Sequence, residues 1–465
     1  MLDTLFFIFR MGVICGWNYL LYLIGIQTKY NCLKLIAQNT SKLNPLFIKL
    51  FQAFAIHNDF LSEDLTNILS SFSDSVTWSY VDIDTTTLMN IQTEFGIGLT
   101  SMTPINAGMI SIVFSGMDKE GNKIVVKIKR KNIEDILARS FDQLTRAILF
   151  LNYFCYTYNL FDLLETNKKS ILSQTCFQQE VDNLLLMKRN CRLLKYVVIP
   201  DVYKHITQKY DNVIVMSFID GVKCDAILPS EKLHFAKHII KFGFVTALMH
   251  GVVHADLHSG NILFIREQQA VTDSHPHEPS NPHLDSTHEP PILSPLTFKI
   301  CILDFGIIHH IGSTNRDAFI NILYPLFDAD IKLSIDQLLQ SGLIEPPDFY
   351  ANITNIQRMC VNELLTQFIT ANLKKIGIYT FMHNLKQLLN HPTLITIGVK
   401  PSKQFMQLQL IMGMSQGVTI SLCENSEVFL KLADETLSQM LYPIATGDAA
   451  ARSALATSSA GSDPP

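Results

Sequence analysis

The chain has 465 residues, of which 48% are hydrophobic, so it is long enough for two lobes with extensions and a sizeable core. A formal net charge of −5 argues against a protein that binds nucleic acid through a basic surface. The nine cysteines are scattered, with no Cys-x-x-Cys pair, which predicts free thiols in a reducing compartment and no zinc site.

The N-terminal stretch is strongly apolar, and no charge occurs from Met11 to Ile26. A bilayer span needs about 20 apolar residues, and Arg10 lies near enough to one end to reach the headgroups. No small-residue cleavage site follows, so a cleaved signal peptide is not expected. We predict that residues 1–30 associate with a membrane; the alternative is a helix buried against the body of the protein.

Residues 31–95 are expected to form helices separated by a short polar turn. Residues 44–52 read NPLFIKLFQ, and within them Lys49 and Gln52 are three positions apart and share one face of a helix. From composition alone, these two side chains would be surface residues of an amphipathic helix.

The same nine residues, followed by NDFL at 58–61, resemble the Lys-x-Gly-Gln signature of the UbiB-type atypical kinase-like family, with Phe51 in place of the glycine. That family includes the aarF-domain proteins that support coenzyme Q biosynthesis. The resemblance implies an α+β, two-lobe protein-kinase-like fold with an N-terminal helical extension that carries a Lys-x-x-Gln motif. It also implies that Lys49 and Gln52 lie across the front of the active site and exclude peptide substrates.

Residues 96–216 are expected to form the N-terminal lobe, whose first strands begin the segment. A small-residue turn contains Ala107 and Gly108, where backbone N–H groups can approach phosphates. The UbiB-type loop is rich in alanine, so the resemblance assigns both residues to ATP. Asn106 and Met109 depart from the family pattern.

The stretch KIVVKI at 123–128 predicts a strand with Lys127 pointing inward, and a buried lysine requires a partner. Residues 177–184 read FQQEVDNL and resemble the family helix that carries the lysine-pairing glutamate, here Glu180. The resemblance implies that Lys127 contacts the α- and β-phosphates of ATP. Gln174 lies upstream, in the region where the family has a further acidic residue.

A strand and turn, VIVMSFIDG at 213–221, fit the hinge between two lobes. Adenine would meet backbone groups there at Ser217, Phe218 and Ile219. The alternative is an ordinary edge strand, and the order of motifs along the chain favours the hinge.

Residues 254–264 read HADLHSGNILF, which is typical of a phosphoryl-transfer loop. The spacing of Asp256 and Asn261 lets one loop aim a carboxylate at an attacking hydroxyl and a carboxamide oxygen at a metal. About forty residues on, ILDFG contributes Asp304 as a second Mg²⁺ ligand. Ala255 stands where most protein kinases have an arginine, so no activation-loop switch is expected.

Residues 217–445 are expected to form a mainly helical C-terminal lobe. Its residues 265–296 are rich in Pro, His, Ser and Glu, and predict a disordered insertion between two strands. Residues 446–465 predict a disordered tail.

Three hypotheses follow. The first is an ATP- and Mg²⁺-dependent atypical kinase or ATPase at a membrane, in lipid or quinone metabolism. The second is a nucleotide-gated binding protein without phosphate transfer, which the departures at Asn106 and Met109 favour. The third is a small-molecule kinase of the aminoglycoside or choline type, which has no use for Lys49 and Gln52. The expected partner is a membrane lipid or isoprenoid-like small molecule, not nucleic acid, and a homodimer stays open.

Overall fold

The computed structural model describes residues 2–48, 76, 78–153, 160–268, 296–313, 316–317, 330–372, 378–403, 405–406, 417–423 and 425–445. Within these ranges the α-helices are α1 (Leu2–Leu23), α2 (Lys29–Leu43), α3 (Thr85–Phe95), α4 (Ile133–Asn152), α5 (Leu160–Ser173), α6 (Phe177–Asn190), α7 (Lys204–Lys209), α8 (Lys232–Phe244), α9 (Ile331–Gln340), α10 (Phe349–Asn352), α11 (Asn355–Asn372), α12 (Ile378–Leu389), α13 (Pro392–Thr396) and α14 (Ser426–Ala445). The strands are β1 (Gly98–Leu99), β2 (Asn106–Ala107), β3 (Ser111–Met117), β4 (Lys123–Lys129), β5 (Val197–Val198), β6 (Val213–Ser217), β7 (Val252–His254), β8 (Ile262–Gln268), β9 (Leu296–Ile302), β10 (Ile308–His310), β11 (Ile344–Glu345) and β12 (Lys400–Pro401).

The N-terminal lobe is built on an antiparallel sheet in the order β1–β3–β4–β6, with β2 paired to β3. Successive side chains of β4 point to opposite faces of the sheet. Ile124, Val126 and Ile128 are completely buried and pack in one cluster with residues of α3, whereas the residues between them point to the other side. On that other side Lys127 lies opposite Ile214 of β6. The strand predicted at 123–128 is therefore confirmed.

The second face of this sheet is covered by a cluster that includes residues of α4 and α6, and the N-terminal extension joins it through Phe7 and Leu46. Asn44 is completely buried and fastens the extension to α4. Its Nδ2 donates to the carbonyl of Ser140 at 3.0 Å, and its Oδ1 accepts from the N–H of Leu46 at 3.0 Å. These contacts leave no polar group of Asn44 unmatched in the core, which a buried carboxamide requires.

The C-terminal lobe is mainly helical in its described part, as predicted. Helices α8, α11, α12 and α14 contribute to one core, and a short antiparallel pair of β11 and β12 lies beside it. A second core forms where α8 packs on the sheet of β5, β9 and β8, with Phe235 edge-on to Phe264. Strands β7 and β10 form a separate antiparallel pair. These two small sheets carry the loops that face the other lobe.

The prediction of a disordered insertion at 265–296 is wrong at both ends. Strand β8 continues to Gln268 and β9 begins at Leu296, and these two residues are cross-strand partners. Cross-strand contacts stabilise the polar ends, since Lys299 Nζ lies 2.5 Å from Glu267 Oε2. The remaining residues, 269–295, lie outside the described part of the chain.

Candidate functional site

A cavity of about 430 Å³ opens between the two lobes. Its lining comes from the β2–β3 turn, β4, α6 and the segment after β6 on one side, and from the loops around β7–β8 and after β9 on the other. The lining residues are Ile48, Val76, residues 105–111, Val113, Val125, Lys127, Gln174, Phe177, Glu180, residues 216–219, Gly221, Lys223, Asp256, His258, Gly260, Asn261, Leu263, Leu303, Asp304 and Gly306.

The structure brings ten of the site residues predicted from sequence to this one cavity. They are Ala107, Gly108, Lys127, Glu180, Ser217, Phe218, Ile219, Asp256, Asn261 and Asp304. The other two, Lys49 and Gln52, lie outside the described residues. Ile48, which directly precedes Lys49, does line the cavity, so the extension reaches the cleft.

Lys127 is the centre of the charged cluster. Only 8% of the residue is exposed, and its Nζ donates to Glu180 Oε1 at 2.6 Å and to Asp304 Oδ2 at 2.7 Å. The ion pair expected between Lys127 and Glu180 is therefore present. Its sharing with Asp304 was not anticipated. One lysine thus joins the sheet of the N-terminal lobe, helix α6 and the turn that follows β9.

The pKa values of the two carboxyl groups shift in opposite directions. Burial raises the pKa of Glu180 to about 7, and the negative charge of Asp304 adds to the rise. Burial also pushes the pKa of Asp304 upward, but the charge of Lys127 and hydrogen bonds from Lys127 and the Gly306 N–H outweigh it, so this pKa falls below its usual range. Burial alone would lower the pKa of Lys127, yet the two carboxylates hold it above its ordinary value.

The turn that carries Asp304 is held by its own backbone and by α6. Gly306 donates its N–H to Asp304 Oδ1 at 2.9 Å, and Asn183 Nδ2 donates to the carbonyl of Phe305 at 2.9 Å. A Cβ at Gly306 would stand 3.2 Å from Asp304 Oδ1, so a larger residue would press on the carboxylate. Phe305 is completely buried and anchors the turn in the core.

Sequence reasoning assigned no role to His254, yet this residue ties the two functional loops together. His254 is 3% exposed; its Nε2 contacts the carbonyl oxygen of Asp304, and its Nδ1 accepts from the N–H of Asp256 at 3.2 Å. Burial lowers the pKa of His254, which favours the neutral ring with the proton on Nε2. A polar residue at the end of the apolar strand β7 was the available signal, because buried polar groups need partners.

The side chain of Asn261 holds the loop from Asp256 to Asn261 in shape. Its Nδ2 donates to the carbonyl of Asp256 at 2.9 Å, and its own carbonyl accepts from the N–H of Leu303 at 2.9 Å. Because Nδ2 is used by the loop, Oδ1 is the atom of this carboxamide that can serve a cation. The loop thus presents the Asp256 carboxyl and a neutral oxygen to the same cavity.

Asn261 and Asp304 fit Mg²⁺. No group of three or more His, Cys, Asp or Glu residues suited to a metal occurs among the residues that the structure describes. Mg²⁺ does not require such a cage, since it prefers oxygen ligands and usually takes one or two protein groups together with phosphates and water. A carboxylate and a carboxamide oxygen on one cavity meet that requirement.

The small-residue turn between β2 and β3 is held partly by its own polar groups. Gly108 donates its N–H to the carbonyl of Ser111 at 2.8 Å, and its carbonyl accepts from Arg130 Nε at 2.9 Å. The N–H of Ala107 donates to the side-chain oxygen of Asn106 at 2.9 Å. Two N–H groups that the sequence assigned to phosphates are therefore already bonded within the protein.

The hinge-like segment after β6 also has bonded amides. Ser217 donates its N–H to the carbonyl of Asp201 at 2.8 Å, and Phe218 donates to the carbonyl of Lys123 at 3.0 Å. Among the described residues, the N–H of Ile219 has no hydrogen-bond partner. Of the three predicted positions, Ile219 is the one whose backbone donor remains for a ligand.

Comparison with known proteins places this geometry in a family. The ABC1 atypical kinase-like domain matches residues 97–338. Protein ACTIVITY OF BC1 COMPLEX KINASE 8, chloroplastic, of Arabidopsis thaliana is 23% identical over 333 residues, which cover 67% of this chain and 39% of that protein. A probable protein kinase UbiB of Aeromonas salmonicida is 23% identical over 385 residues, which cover 79% of this chain and 63% of that protein.

A solved structure, the complex of Rv3197 with erythromycin from Mycobacterium tuberculosis, aligns with a TM-score of 0.46 and 12% identity over 76% of this chain and 83% of that chain. This chain spans only 39% and 63% of the length of the two curated relatives. The family match nonetheless covers more than half of the 465 residues, from the start of the sheet in one lobe to α9 in the other. The kinase-like fold and the UbiB-type resemblance are thereby confirmed, and the chain belongs to the ABC1 atypical kinase-like family.

Proposed function

We propose that this chain binds ATP and Mg²⁺ in the cleft and acts as an atypical kinase or ATPase at a membrane, in lipid or quinone metabolism. The observation that carries the proposal is Lys127, held between Glu180 at 2.6 Å and Asp304 at 2.7 Å, on the same cavity as Asp256 and Asn261. A fold with no phosphate to bind would gain little from this arrangement, because each buried charge has a desolvation cost.

Six residues of the cleft have a role in this proposal. Adenine would accept a hydrogen bond from the N–H of Ile219, and Lys127 would contact the phosphates while Glu180 keeps it in place. Asp304 and Asn261 would hold Mg²⁺, which neutralises phosphate charge when it is bound. Asp256 would orient or deprotonate the attacking hydroxyl or water, an effect worth roughly 10²–10⁴ in rate.

The membrane part of the proposal is supported by the N-terminal helix. The helical segment Asp3–Leu23 is long and apolar enough to cross a membrane, and only 17% of its most apolar window is buried. The proposed partner is a membrane lipid or an isoprenoid-like small molecule. One of the two curated relatives is named for the BC1 complex and the other is named UbiB.

One observation favours the second candidate function, nucleotide binding without phosphate transfer. The Asn106 side chain accepts from the N–H of Ala107, which leaves fewer backbone donors for the phosphates. Weaker phosphate contacts would favour binding and release over transfer.

ATP hydrolysis by the purified chain, with and without liposomes and isoprenoid quinone analogues, separates these functions. A reduction of turnover by about 10²-fold or more in Asp256→Asn supports an enzyme, since the substitution removes the general base. Calorimetric MgATP binding without turnover supports the second candidate. No binding of MgATP to the folded intact chain would refute both.

A further inference from the structure

Helix α1 has two contrasting sides. Its inner side contains Thr4, Phe7 and Asn18, which are buried where α1 packs along α2 and α4. Large apolar side chains recur three or four positions apart on the opposite side, along the whole helix. They are Phe6, Phe9, Val13, Trp17, Leu20 and Leu23, each 47–66% exposed. We call these six residues the outer stripe.

Charge on α1 and α2 is mostly positive, and Asp3, in the first turn of α1, is their one acidic residue. From Thr4 to Ile48 the chain contains no Asp or Glu, although the whole protein has a net charge of −5. The basic residues of this segment are all exposed, and they are Arg10, Lys29, Lys34 and Lys42. A surface that combines exposed aromatic groups with predominantly positive charge suits an anionic lipid surface.

The packing of α1 argues against a helix that crosses the bilayer. Helix α2 lies alongside α1 and presents three exposed lysines, and Asn18 is enclosed on the inner side of α1. A crossing α1 would draw α2 into the hydrocarbon or lose its contacts with α2 and α4. Lysines within hydrocarbon are strongly unfavourable.

We propose that the α1–α2 hairpin, Leu2–Leu43, docks on an anionic leaflet with α1 lying in the membrane plane. The outer stripe enters the boundary between headgroups and acyl chains, where tryptophan is favoured. Arg10 and the α2 lysines meet anionic headgroups. The inference rests on the membrane part of the proposed function, and it specifies the surface and its orientation.

This docking would place the cleft close to the lipid. The hairpin is fixed to α4 through Phe7 and Asn44, and the chain continues from α2 to Ile48 on the cavity wall within five residues of Leu43. A membrane-derived substrate would then have a short path to the site. The competing occupant of the outer side is a second copy of this chain, because Gly12 and Gly16 have open space around them there.

Vesicle sedimentation of the full chain tests the surface. Phosphatidylcholine vesicles are compared with and without phosphatidylserine, and the double variant Trp17→Glu, Leu20→Glu is compared with Ile356→Glu, Met359→Glu. The control pair is 76% and 73% exposed on α11, so it makes the same apolar-to-acidic change elsewhere. We expect the hairpin variant to lose partitioning into the anionic vesicles by about tenfold or more, and the control to keep it. Equal partitioning of both variants overturns the inference.

Depth measurement tests the orientation. Trp17 and Trp78 are the two tryptophans, so a Trp17→Phe, Trp78→Phe background accepts a single probe at Val13 or Leu20. The two positions lie on the same side of α1, about 10 Å apart along its axis. Equal quenching by lipids brominated at a shallow position supports an in-plane helix. Much deeper quenching at Val13→Trp means that α1 crosses, and overturns the orientation.

Two further readouts keep this inference separate from the proposed function. If the intact chain is a dimer, the hairpin variant is a monomer and neither binds vesicles, then a second copy covers the stripe. That result overturns the inference. MgATP affinity without vesicles should be equal for the intact chain and the hairpin variant. Vesicle binding by an intact chain that binds no MgATP supports this surface and refutes the proposed function instead.

Discussion

Two carboxylates share Lys127, and their surroundings differ. Glu180 lies on a long helix with its side chain 3% exposed, and burial raises its pKa to about 7. Asp304 lies on a turn at the cavity with its side chain 31% exposed, and its pKa is held below the usual range by Lys127 and the Gly306 N–H. Both carboxylates line the cavity, but the first is almost fully buried, whereas the second is charged and more exposed to it.

This difference separates two roles within one ion cluster. Glu180 can keep Lys127 in position whatever occupies the cleft, because only 3% of its side chain is exposed at the cavity wall. Asp304 can exchange Lys127 for a cation that arrives with phosphates, since Lys127 is bound by Oδ2 while the Gly306 N–H is bound by the other oxygen, Oδ1.

The largest effect is expected for Lys127→Met. It leaves two carboxylates in the cleft without their cation, so the free energy of unfolding should fall by about 3–5 kcal/mol in urea titrations. The matched control is Lys129→Met on the same strand. The partner of Lys129 is Glu134, which lies 3.0 Å away and whose side chain is 63% exposed. The control should lose less than about 1 kcal/mol. Similar losses in both variants would mean that Lys127 does not balance buried charge.

A pH-dependent effect is expected at Glu180. Its folded-state pKa of about 7 lies above the ordinary 4.5, so the folded protein holds this proton more tightly, and stability falls as pH rises from 4.5 to 7. Glu180→Gln should flatten this part of the profile, by an amount on the order of 1–3 kcal/mol across the window. Urea unfolding at several pH values measures it. Parallel profiles for the two proteins would refute the enclosed state of Glu180.

A smaller effect, on turnover alone, is expected for Lys49→Ala. Ile48 lines the cavity, and we expect Lys49, the next residue, to supply a second cation in the cleft. ATP turnover or autophosphorylation should change, while stability changes by less than about 0.5 kcal/mol. Generic protein-kinase peptides should not be phosphorylated by the intact chain. Equal rates at matched thermal stability, with ready peptide phosphorylation by both proteins, would show that Lys127 acts alone and the cleft is open.

Almost no effect is expected when residues 269–295 are replaced by a short Gly-Ser turn. Gln268 and Leu296 are cross-strand partners, so a short turn can join them without moving the strands that lead to Asn261 and Asp304. Melting temperature and ATPase rate should stay nearly unchanged. A large loss of either would mean that the cluster depends on residues 269–295.

The sequence was sufficient where one short motif carries the chemistry. Asp256 and Asn261 are five positions apart in one loop, and Asp304 ends an apolar strand, so local spacing already indicated their shared site. The inward orientation of Lys127 followed from its place in a strand of β-branched residues.

Long-range packing decided what sequence reasoning missed. The contact of Lys127 with Asp304 joins residues 177 positions apart, and local periodicity contains no information about it. The role of His254 required the pairing of β7 with β10 beside the Asp304 turn. The ends of β8 and β9 were misread because their polar residues resemble a loop until cross-strand contacts are known.

The most direct test of the account is calorimetric titration of ATP into the intact chain and Asp304→Asn, with and without Mg²⁺. The substitution keeps the size of the side chain and leaves Glu180 to hold Lys127. We predict that Asp304→Asn weakens ATP binding in Mg²⁺ by at least tenfold, or about 1.4 kcal/mol, and changes the Mg²⁺-free affinity far less. Equal affinities of the two proteins in Mg²⁺ would contradict the metal role of Asp304 and with it the division of roles in the cleft.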